Sequence, residues 1–151
     1  MPRFGYSCKV EEPCAKAMGR ELRISPKDAV EICREIKGMK LREAQSYLEE
    51  VVKGERAVPF RRHAKKVAHH KGTKGAGAFP VKAAKAILEV LKNAEANAAY
   101  KGLDAEKLKV VHASASRGII LPGILPRAFG RATPYNRPLT NVQIVLKEAQ
   151  A

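Results

Sequence analysis

Residues 108–147 read LKVVHASASRGIILPGILPRAFGRATPYNRPLTNVQIVLK, and the architecture of the chain follows from this stretch. Apolar and polar residues alternate at both of its ends, which is typical of half-buried strands. The alternating apolar residues are Val111, Ala113, Ala115, Val142, Ile144 and Leu146. The middle of the stretch is rich in glycine and proline, which interrupt regular structure. The pattern therefore predicts one long β-hairpin with an irregular tip.

The predicted hairpin is cationic, because no Asp or Glu lies between Glu106 and Glu148 while several Lys and Arg do. A strand of fourteen residues spans roughly 45 Å at ~3.3 Å per residue, and an isolated two-stranded ribbon is marginally stable in water. Its middle also carries apolar residues that a domain of this size is too small to bury, namely Ile119, Ile120, Leu121, Ile124 and Leu125. We expect such an arm to lie against a polyanion with crevices. The alternative is that these residues form ordinary strands of a compact sheet.

The composition favours an anionic partner. The chain has 151 residues and 45% hydrophobic residues, which suits one globular domain with a modest core. Lys and Arg number 29 against 15 Asp and Glu, so the net charge is +14. Such an excess destabilises a compact state by self-repulsion unless a polyanion neutralises it. Aromatic residues make up only 5% and Trp is missing, which favours folded RNA held through phosphates over base-stacking platforms.

The excess charge is concentrated in two stretches outside the predicted helices. Residues 54–82 carry a net charge of +7 and residues 108–151 carry +5, whereas the rest of the chain is nearly neutral. A localised excess of this kind predicts two contact regions for an anionic partner and not a uniformly basic surface.

The hydrophobic pattern and the cysteine content argue against membrane, secreted and metal-binding proteins. No run of about 18 apolar residues is present, as a membrane helix would need, and the N-terminus lacks the apolar core of a signal peptide. We therefore expect no membrane partner. Three cysteines cannot form a full disulfide framework, which favours a reducing cytoplasm. The spacing of Cys8 and Cys14 does not suit zinc. Although His63, His69 and His70 could add ligands, we expect neither a metal nor a cofactor.

Three amphipathic helices are predicted before the hairpin. Ser25 can cap the first helix, Pro26 can open it, and Gly38 can end it. The second helix runs from about Lys40 to Gly54, and the third from Pro80 to about Tyr100. A short strand is expected within residues 16–24. The predicted fold is thus a single α+β domain over residues 1–151. In it, three helices pack on a small antiparallel sheet, two strands of which extend as a long protruding β-hairpin.

Residues 55–79, called the basic block below, form an insertion between the second and third helices. Its glycines lack the Gly-Lys-Ser/Thr ending of a P-loop, so nucleotide binding is not expected. One interpretation is a solvated basic loop or localisation signal. We favour a second interpretation, in which the block is an RNA-binding extension that becomes ordered on binding. Its candidate RNA-binding residues are Arg61, Arg62, Lys65, Lys66, His69, His70, Lys71 and Lys74.

On the hairpin, the candidate RNA-binding residues are Arg117, Arg127, Arg131 and Arg137. Arginine suits this role because its planar guanidinium binds phosphate through two hydrogen bonds and stacks on bases. About ten Lys and Arg contacts from the block and the hairpin together would release counterions from the RNA. The logarithm of the RNA-binding constant would then fall against the logarithm of the salt concentration with a slope of roughly −7 to −9.

An enzyme acting on RNA is the rival from another class. Its general base would be His63, His69, His70 or His112. No carboxylate that could orient a histidine or hold Mg²⁺ lies between Glu55 and Glu89 or between Glu106 and Glu148, and no Ser–His–Asp or paired-acid pattern is present. We therefore expect no catalytic residues and no small-molecule substrate.

Several stretches resemble one known family. They are residues 23–29 (RISPKDA), 36–38 (IKG), 91–98 (LKNAEANA), 102–104 (GLD) and 126–134 (PRAFGRATP). In this order they are similar to the twenty-second large-subunit ribosomal protein of the universal set, over about residues 16–147. The basic block resembles the insertion of archaeal and eukaryotic members, and the surrounding sequence is closer to the archaeal form. Residues before Lys16 fall outside the shared pattern and receive no role.

The resemblance implies a compact α+β body docked on large-subunit rRNA, beside neighbouring ribosomal proteins and bound to the cytoplasmic ribosome. It also implies that the hairpin reaches the wall of the polypeptide exit tunnel, near the nascent polypeptide. By position, the tip comprises Pro126, Arg127, Ala128, Phe129, Gly130, Arg131, Ala132 and Thr133. Arg127 and Arg131 would face rRNA or the tunnel. The alternative is a free-standing basic RNA-binding regulator or RNA chaperone, which composition does not exclude.

Overall fold

The computed structural model describes residues 5–9 and 12–148. The helices in this part of the chain are α1 (Pro26–Ile36), α2 (Leu41–Lys53) and α3 (Val81–Tyr100). The long strands are β1 (Ala15–Leu22), β4 (Leu108–Leu121) and β7 (Arg137–Glu148). Four short strands lie between them, β2 (Val58–Pro59), β3 (Gly77–Ala78), β5 (Ile124–Pro126) and β6 (Ala132–Pro134). The predicted α+β class is confirmed.

Local signals set the helix ends much as predicted. The Ser25 hydroxyl accepts a hydrogen bond from the Asp28 N–H at 3.4 Å, and Pro26 is the first residue of α1. Gly38 at φ +92° and Gly54 at φ +81° follow the ends of α1 and α2 in conformations that favour glycine. The sequence predicts that Ala84, Ile87, Leu88, Leu91, Ala94 and Ala98 form the buried face of α3. All of these are buried except Leu88, which is only partly buried, and Val90 is buried in addition.

Three long strands form the antiparallel sheet in the order β1-β7-β4, with β7 in the centre. Helices α1 and α3 pack on the face that carries Val142, Ile144 and Leu146, and α2 packs against α3. Residues 5–9 cover part of the opposite face, since the Ser7 N–H donates to the Gln143 side-chain oxygen at 2.8 Å. Coverage of both faces explains why Val145 is also buried. Residues 5–9, for which the sequence predicted no role, thus form part of the body.

The predicted alternation along β4 is wrong at Val111. The register with β7 shifts between Val110 and His112, so that Val110 and Ala113 are buried while Val111 is 40% exposed. A β-bulge adds one residue to one strand and moves the following side chains to the other face. The apolar set predicted from strict alternation therefore holds only after the bulge.

The hairpin is present, but less of it protrudes than its length suggests. Strand β1 ends where Leu22 pairs with Thr140, and Thr140 also pairs with Arg117 of β4. Residues 108–117 therefore belong to the three-stranded sheet, with Leu108 and Val110 fully buried in the core. Only residues 118–139, called the arm below, continue past the end of β1. Their outward run spans on the order of 35 Å if extended.

Candidate nucleic-acid interface

Two buried polar side chains fix the point where the arm leaves the body, which we call the neck. The Thr140 hydroxyl donates to the Ile24 carbonyl at 2.8 Å, and the Asn141 side-chain oxygen accepts from the Glu21 N–H at 2.8 Å. Both residues are buried, so leaving these groups unpaired would be costly. The connection between β1 and α1 is thereby held against β7, and Arg23 within it lies beside the base of the arm.

The pairing of β4 with β7 is irregular at the neck. The β4–β7 register shifts between Arg117 and Ile120, so three steps on β4 oppose two on β7. Bulges of this kind bend a strand and redirect its side chains. Gly118 lies within the shift, where an added Cβ would lie 3.4 Å from the Leu139 carbonyl oxygen and the Asn141 side chain.

A cleft of about 550 Å³, called the neck cleft below, lies between the arm and the body beside this connection. Its cationic lining comes from Arg23, Lys82 and Arg137, and no carboxylate lines it. Its apolar lining includes Leu121 and Ile124. Lys82 is the second residue of α3, so three separate elements supply the positive charge. This lining can neutralise phosphates at one edge and accept a base or ribose at the other.

Tyr135 provides an aromatic surface at this cleft. It is 52% exposed, and the Arg137 guanidinium carbon lies 5.2 Å from the centre of its ring. A second cavity of about 380 Å³ lies on the other side of the same residues and is lined also by Lys27 and Arg117. A stacked Arg–Tyr pair between two basic cavities is suited to a nucleotide base with its flanking phosphates.

Of the residues predicted from the sequence, the neck brings together Arg117 and Arg137. It adds Arg23, Lys27, Lys82 and Tyr135, which sequence analysis did not single out. No local pattern distinguishes Arg23 or Lys82 from other surface cations, because their role depends on where the arm lies. The only available signal was that Arg23 and Lys27 fall in one of the stretches that resemble the ribosomal family.

The two arginines of the tip that were predicted to bind RNA lie away from the neck. Strands β5 and β6 pair, and the Arg127 N–H donates to the Arg131 carbonyl at 2.8 Å across a turn in which Phe129 has φ +57°. Phe129 is 99% exposed. Every residue from 124 to 137 is exposed, so the apolar side chains of the tip do not pack back on the body. Neither Arg127 nor Arg131 forms an ion pair with a carboxylate within residues 5–9 and 12–148.

The basic block is attached to the body through a carboxylate that the sequence did not predict to lie there. Glu31 of α1 is fully buried, and its carboxylate accepts the backbone N–H groups of Arg61 (3.3 Å), Arg62 (2.8 Å) and His63 (3.0 Å). Arg34 lies 3.3 Å from the same carboxylate. Burial raises the pKa of Glu31, but the three N–H bonds and Arg34 outweigh it and hold the pKa below its ordinary value.

The rest of the block has a defined path and an exposed cationic surface. Strands β2 and β3 pair, and an isolated bridge joins His69 to Ala76. Its predicted Arg and Lys residues and His69 are exposed, whereas His70 is half-buried with its ring 5.0 Å from that of Phe79. Arg61 also forms an ion pair with Glu35 at 3.0 Å. Phe79 lines a cavity together with Arg23, so the end of the block adjoins the neck. Ordering of the block on RNA stays a prediction.

The candidate catalytic and metal-binding residues do not form a reactive site. His112 Nε2 lies 2.9 Å from the Ser7 hydroxyl and 3.1 Å from that of Ser114. Burial and the nearby Lys37 lower the pKa of His112. Cys33 is buried in the core, and this burial raises the pKa of its thiol to about 12. Among the described residues no three His, Cys, Asp or Glu side chains are grouped to hold a metal ion.

Within the described part of the chain, none of the helices has the length and apolar character needed to cross a bilayer. The distinctive surfaces of the molecule are thus the neck cleft, the exposed tip and the basic block.

Comparison with known proteins gives one consistent family. The family model described as "Ribosomal protein L22p/L17e" matches residues 17–147. A relative from Methanosphaera stadtmanae, named "Large ribosomal subunit protein uL22", is 55% identical over 148 residues, covering 97% of this chain and 96% of the relative. Relatives of the same name from Archaeoglobus fulgidus and Methanocaldococcus jannaschii are 54% and 52% identical. They cover 96% and 98% of this chain, and 96% and 97% of their own lengths.

Proposed function

The chain belongs to the L22p/L17e family of ribosomal proteins, in its archaeal form, and from this premise we propose how it holds large-subunit rRNA. As a member it is a structural constituent of the large ribosomal subunit and not an enzyme. Its partners are rRNA and other ribosomal proteins, which associates it with the ribosome in the cytoplasm. The proposal concerns which surfaces of this chain make the contacts.

The neck cleft is the principal rRNA-binding site in this proposal. The single observation that carries it is the convergence of Arg23, Lys82 and Arg137, from three elements, around a cleft without a carboxylate. Such a cluster costs electrostatic free energy unless a polyanion lies against it. Tyr135 gives the cleft a stacking surface, so it binds a nucleotide whose base is accessible, while the surrounding cations bind the backbone.

The basic block binds rRNA through its exposed cations, from Arg61 to Lys74. Glu31 supports this role because it fixes the backbone of residues 61–63 through their N–H groups, while the side chain of Arg62 remains exposed. Since the end of the block adjoins the neck, the two basic regions form one phosphate-binding path along the molecule.

The tip carries a separate role. Residues 126–133 are exposed at the end of the arm, and they combine two arginines with Phe129 and small side chains. This combination supports contact with rRNA through Arg127 and Arg131 and with a passing nascent polypeptide through the apolar surface. Placement of the tip at the wall of the exit tunnel, as the family resemblance implies, is part of the proposal.

The test is equilibrium binding of the purified protein to large-subunit rRNA. Replacing Arg23 and Arg137 with Ala should weaken rRNA binding at least tenfold. Because two phosphate contacts are lost, the slope of the logarithm of the binding constant against the logarithm of the salt concentration should become shallower by about 1.4 to 1.8. The matched control is Arg42→Ala, because Arg42 is exposed on α2, away from the neck, and pairs with Glu106 at 3.2 Å. Equal effects of the neck variant and the control would contradict the proposed site.

A further inference from the structure

A second enclosed basic site lies between α2 and the basic block. A cavity of about 380 Å³ is lined there by Glu35, Tyr47, Arg56, Arg61, Thr73 and Lys74. It is separate from the neck cleft and shares no lining residue with it. Its walls come from three parts of the chain: the end of α1, the middle of α2, and the two ends of the block.

Tyr47 gives this cavity an unusual feature. The residue is only 3% exposed, and its hydroxyl is the one buried side-chain N or O atom in the described part of the chain without a hydrogen-bond partner. An unpaired buried hydroxyl is costly, and most are satisfied by protein, water or ligand. Burial, aided by the nearby Glu35, raises the pKa of Tyr47 to about 12, so the hydroxyl keeps its proton and remains a hydrogen-bond donor.

Three cations lie around this donor, and two of them are paired with carboxylates. The Arg56 guanidinium carbon lies 4.7 Å from the centre of the Tyr47 ring. Arg61 is paired with Glu35 at 3.0 Å, whereas Lys74 forms no ion pair within residues 5–9 and 12–148. Arg56 itself is paired with Glu50 at 3.4 Å. Arg56 and Arg61 are thus each matched by a carboxylate, and the net positive charge of the cavity comes from Lys74.

We propose that this cavity binds a phosphate group, which accepts hydrogen bonds from the Tyr47 hydroxyl, the Arg56 guanidinium and the Lys74 ammonium. A phosphate has enough acceptor oxygens to satisfy all three donors, and charged acceptors make the stronger hydrogen bonds. The cavity is of small-molecule size, so it also accommodates the ribose attached to the phosphate. The phosphate comes either from the rRNA backbone, in which case the inference rests on the proposed function, or from free phosphate.

The experiment follows the Tyr47 ring by NMR in protein with labelled tyrosine, at constant ionic strength set with chloride. One titration uses inorganic phosphate, and the other uses a short RNA oligomer with hydroxyl ends, whose phosphates are all phosphodiesters. We expect the Tyr47 resonances to shift with at least one of them. Tyr47→Phe lacks this reporter, so its binding is compared with that of the wild type by isothermal titration calorimetry, and it should be about tenfold weaker. Response to the oligomer alone identifies the RNA backbone as the source, and response to inorganic phosphate identifies free phosphate.

Two further variants sharpen the result. Lys74→Ala removes an exposed cation of the cavity and should weaken the same binding, while Tyr100→Phe is the control because Tyr100 is 94% exposed at the end of α3. If neither probe shifts the Tyr47 resonances, the hydroxyl is satisfied by water and the inference is overturned. That outcome is distinguishable from failure of the proposed function, because rRNA binding would still depend on Arg23 and Arg137.

Discussion

At the scale of single residues, the most consequential side chain is Glu31. A fully buried carboxylate is stable only when it is paired and hydrogen-bonded. Here three consecutive backbone N–H groups of the basic block and one arginine satisfy it. The carboxylate therefore joins α1 to a segment thirty residues away, and the positions of Arg61 and Arg62 depend on it.

Replacing Glu31 with Gln should lower the free energy of unfolding by about 1–3 kcal/mol, because a neutral amide oxygen replaces a charged acceptor of several N–H groups. Denaturant unfolding followed by circular dichroism measures the change. The control is Glu49→Gln, since Glu49 is exposed on α2 and should change stability little. An effect of Glu31→Gln no larger than that of the control would show that the hydrogen bonds between Glu31 and the basic block do not stabilise the fold.

The same residue predicts a dependence on pH. Because the pKa of Glu31 is lowered from 4.5 in the folded state, its stabilisation is complete above pH 4.5 and is lost as the pH falls through the folded-state value. The stability difference between the wild type and Glu31→Gln should therefore shrink in acid. Unfolding curves collected between neutral pH and pH 3 measure it, and a constant difference over that range would contradict the assigned cause.

At the scale of elements, the arm keeps its shape through a few close backbone contacts. Gly123 accepts a hydrogen bond from the Tyr135 N–H at 2.7 Å, and a Cβ at Gly123 would lie 2.6 Å from the Tyr135 carbonyl oxygen. That distance is too short for any side chain, so the two chains of the arm approach here only because residue 123 is glycine.

Gly123→Ala should therefore distort the arm and move Tyr135 relative to the neck cleft, weakening rRNA binding several-fold while the melting temperature of the body stays unchanged. Binding assays and thermal denaturation measure the two quantities. Gly118→Ala is the matched control, because its added Cβ would meet its neighbours at 3.4 Å, an ordinary contact. If rRNA affinity is the same in both variants, the backbone approach at Gly123 does not shape the site.

At the scale of the whole molecule, a neutral helical body carries two basic regions that adjoin at the neck. The body is held by a continuous apolar core, whereas the arm beyond the neck is exposed from residue 124 to residue 137. The two parts should therefore respond differently to mutation. Substitutions on the arm affect the partner, and substitutions in the core affect folding.

Replacing Arg127 and Arg131 with Ala should leave the melting temperature of the free protein unchanged and weaken incorporation into the large subunit, because neither side chain is ion-paired with the body. Sucrose-gradient sedimentation at increasing salt concentration measures retention on the subunit. The wild type should remain bound after washes that remove a free-standing RNA-binding regulator. A drop in the melting temperature of the variant would instead assign the two arginines a structural role.

Much of the fold was predictable because its signals are local. Ser25 and Pro26 start a helix within four residues of sequence, and alternation at the two ends of residues 108–147 predicted the long hairpin that β4 and β7 form. The candidate site was predictable only in part. Arg117 and Arg137 were identified because they lie in an acid-free stretch, but Arg23 and Lys82 resemble any other surface cations in sequence. Val111 was misassigned because a bulge depends on the partner strand.

The sequence by itself determined the helices, the long strands, the cationic arm and the family, since periodicity, capping and charge are properties of neighbouring residues. Only the tertiary structure decided that half of the hairpin lies inside the body, that Glu31 holds the basic block, and that Thr140 places Arg23 at the neck. These contacts join residues from thirty to more than one hundred positions apart. Their partners are selected by packing of the whole chain, and no local pattern encodes such a choice.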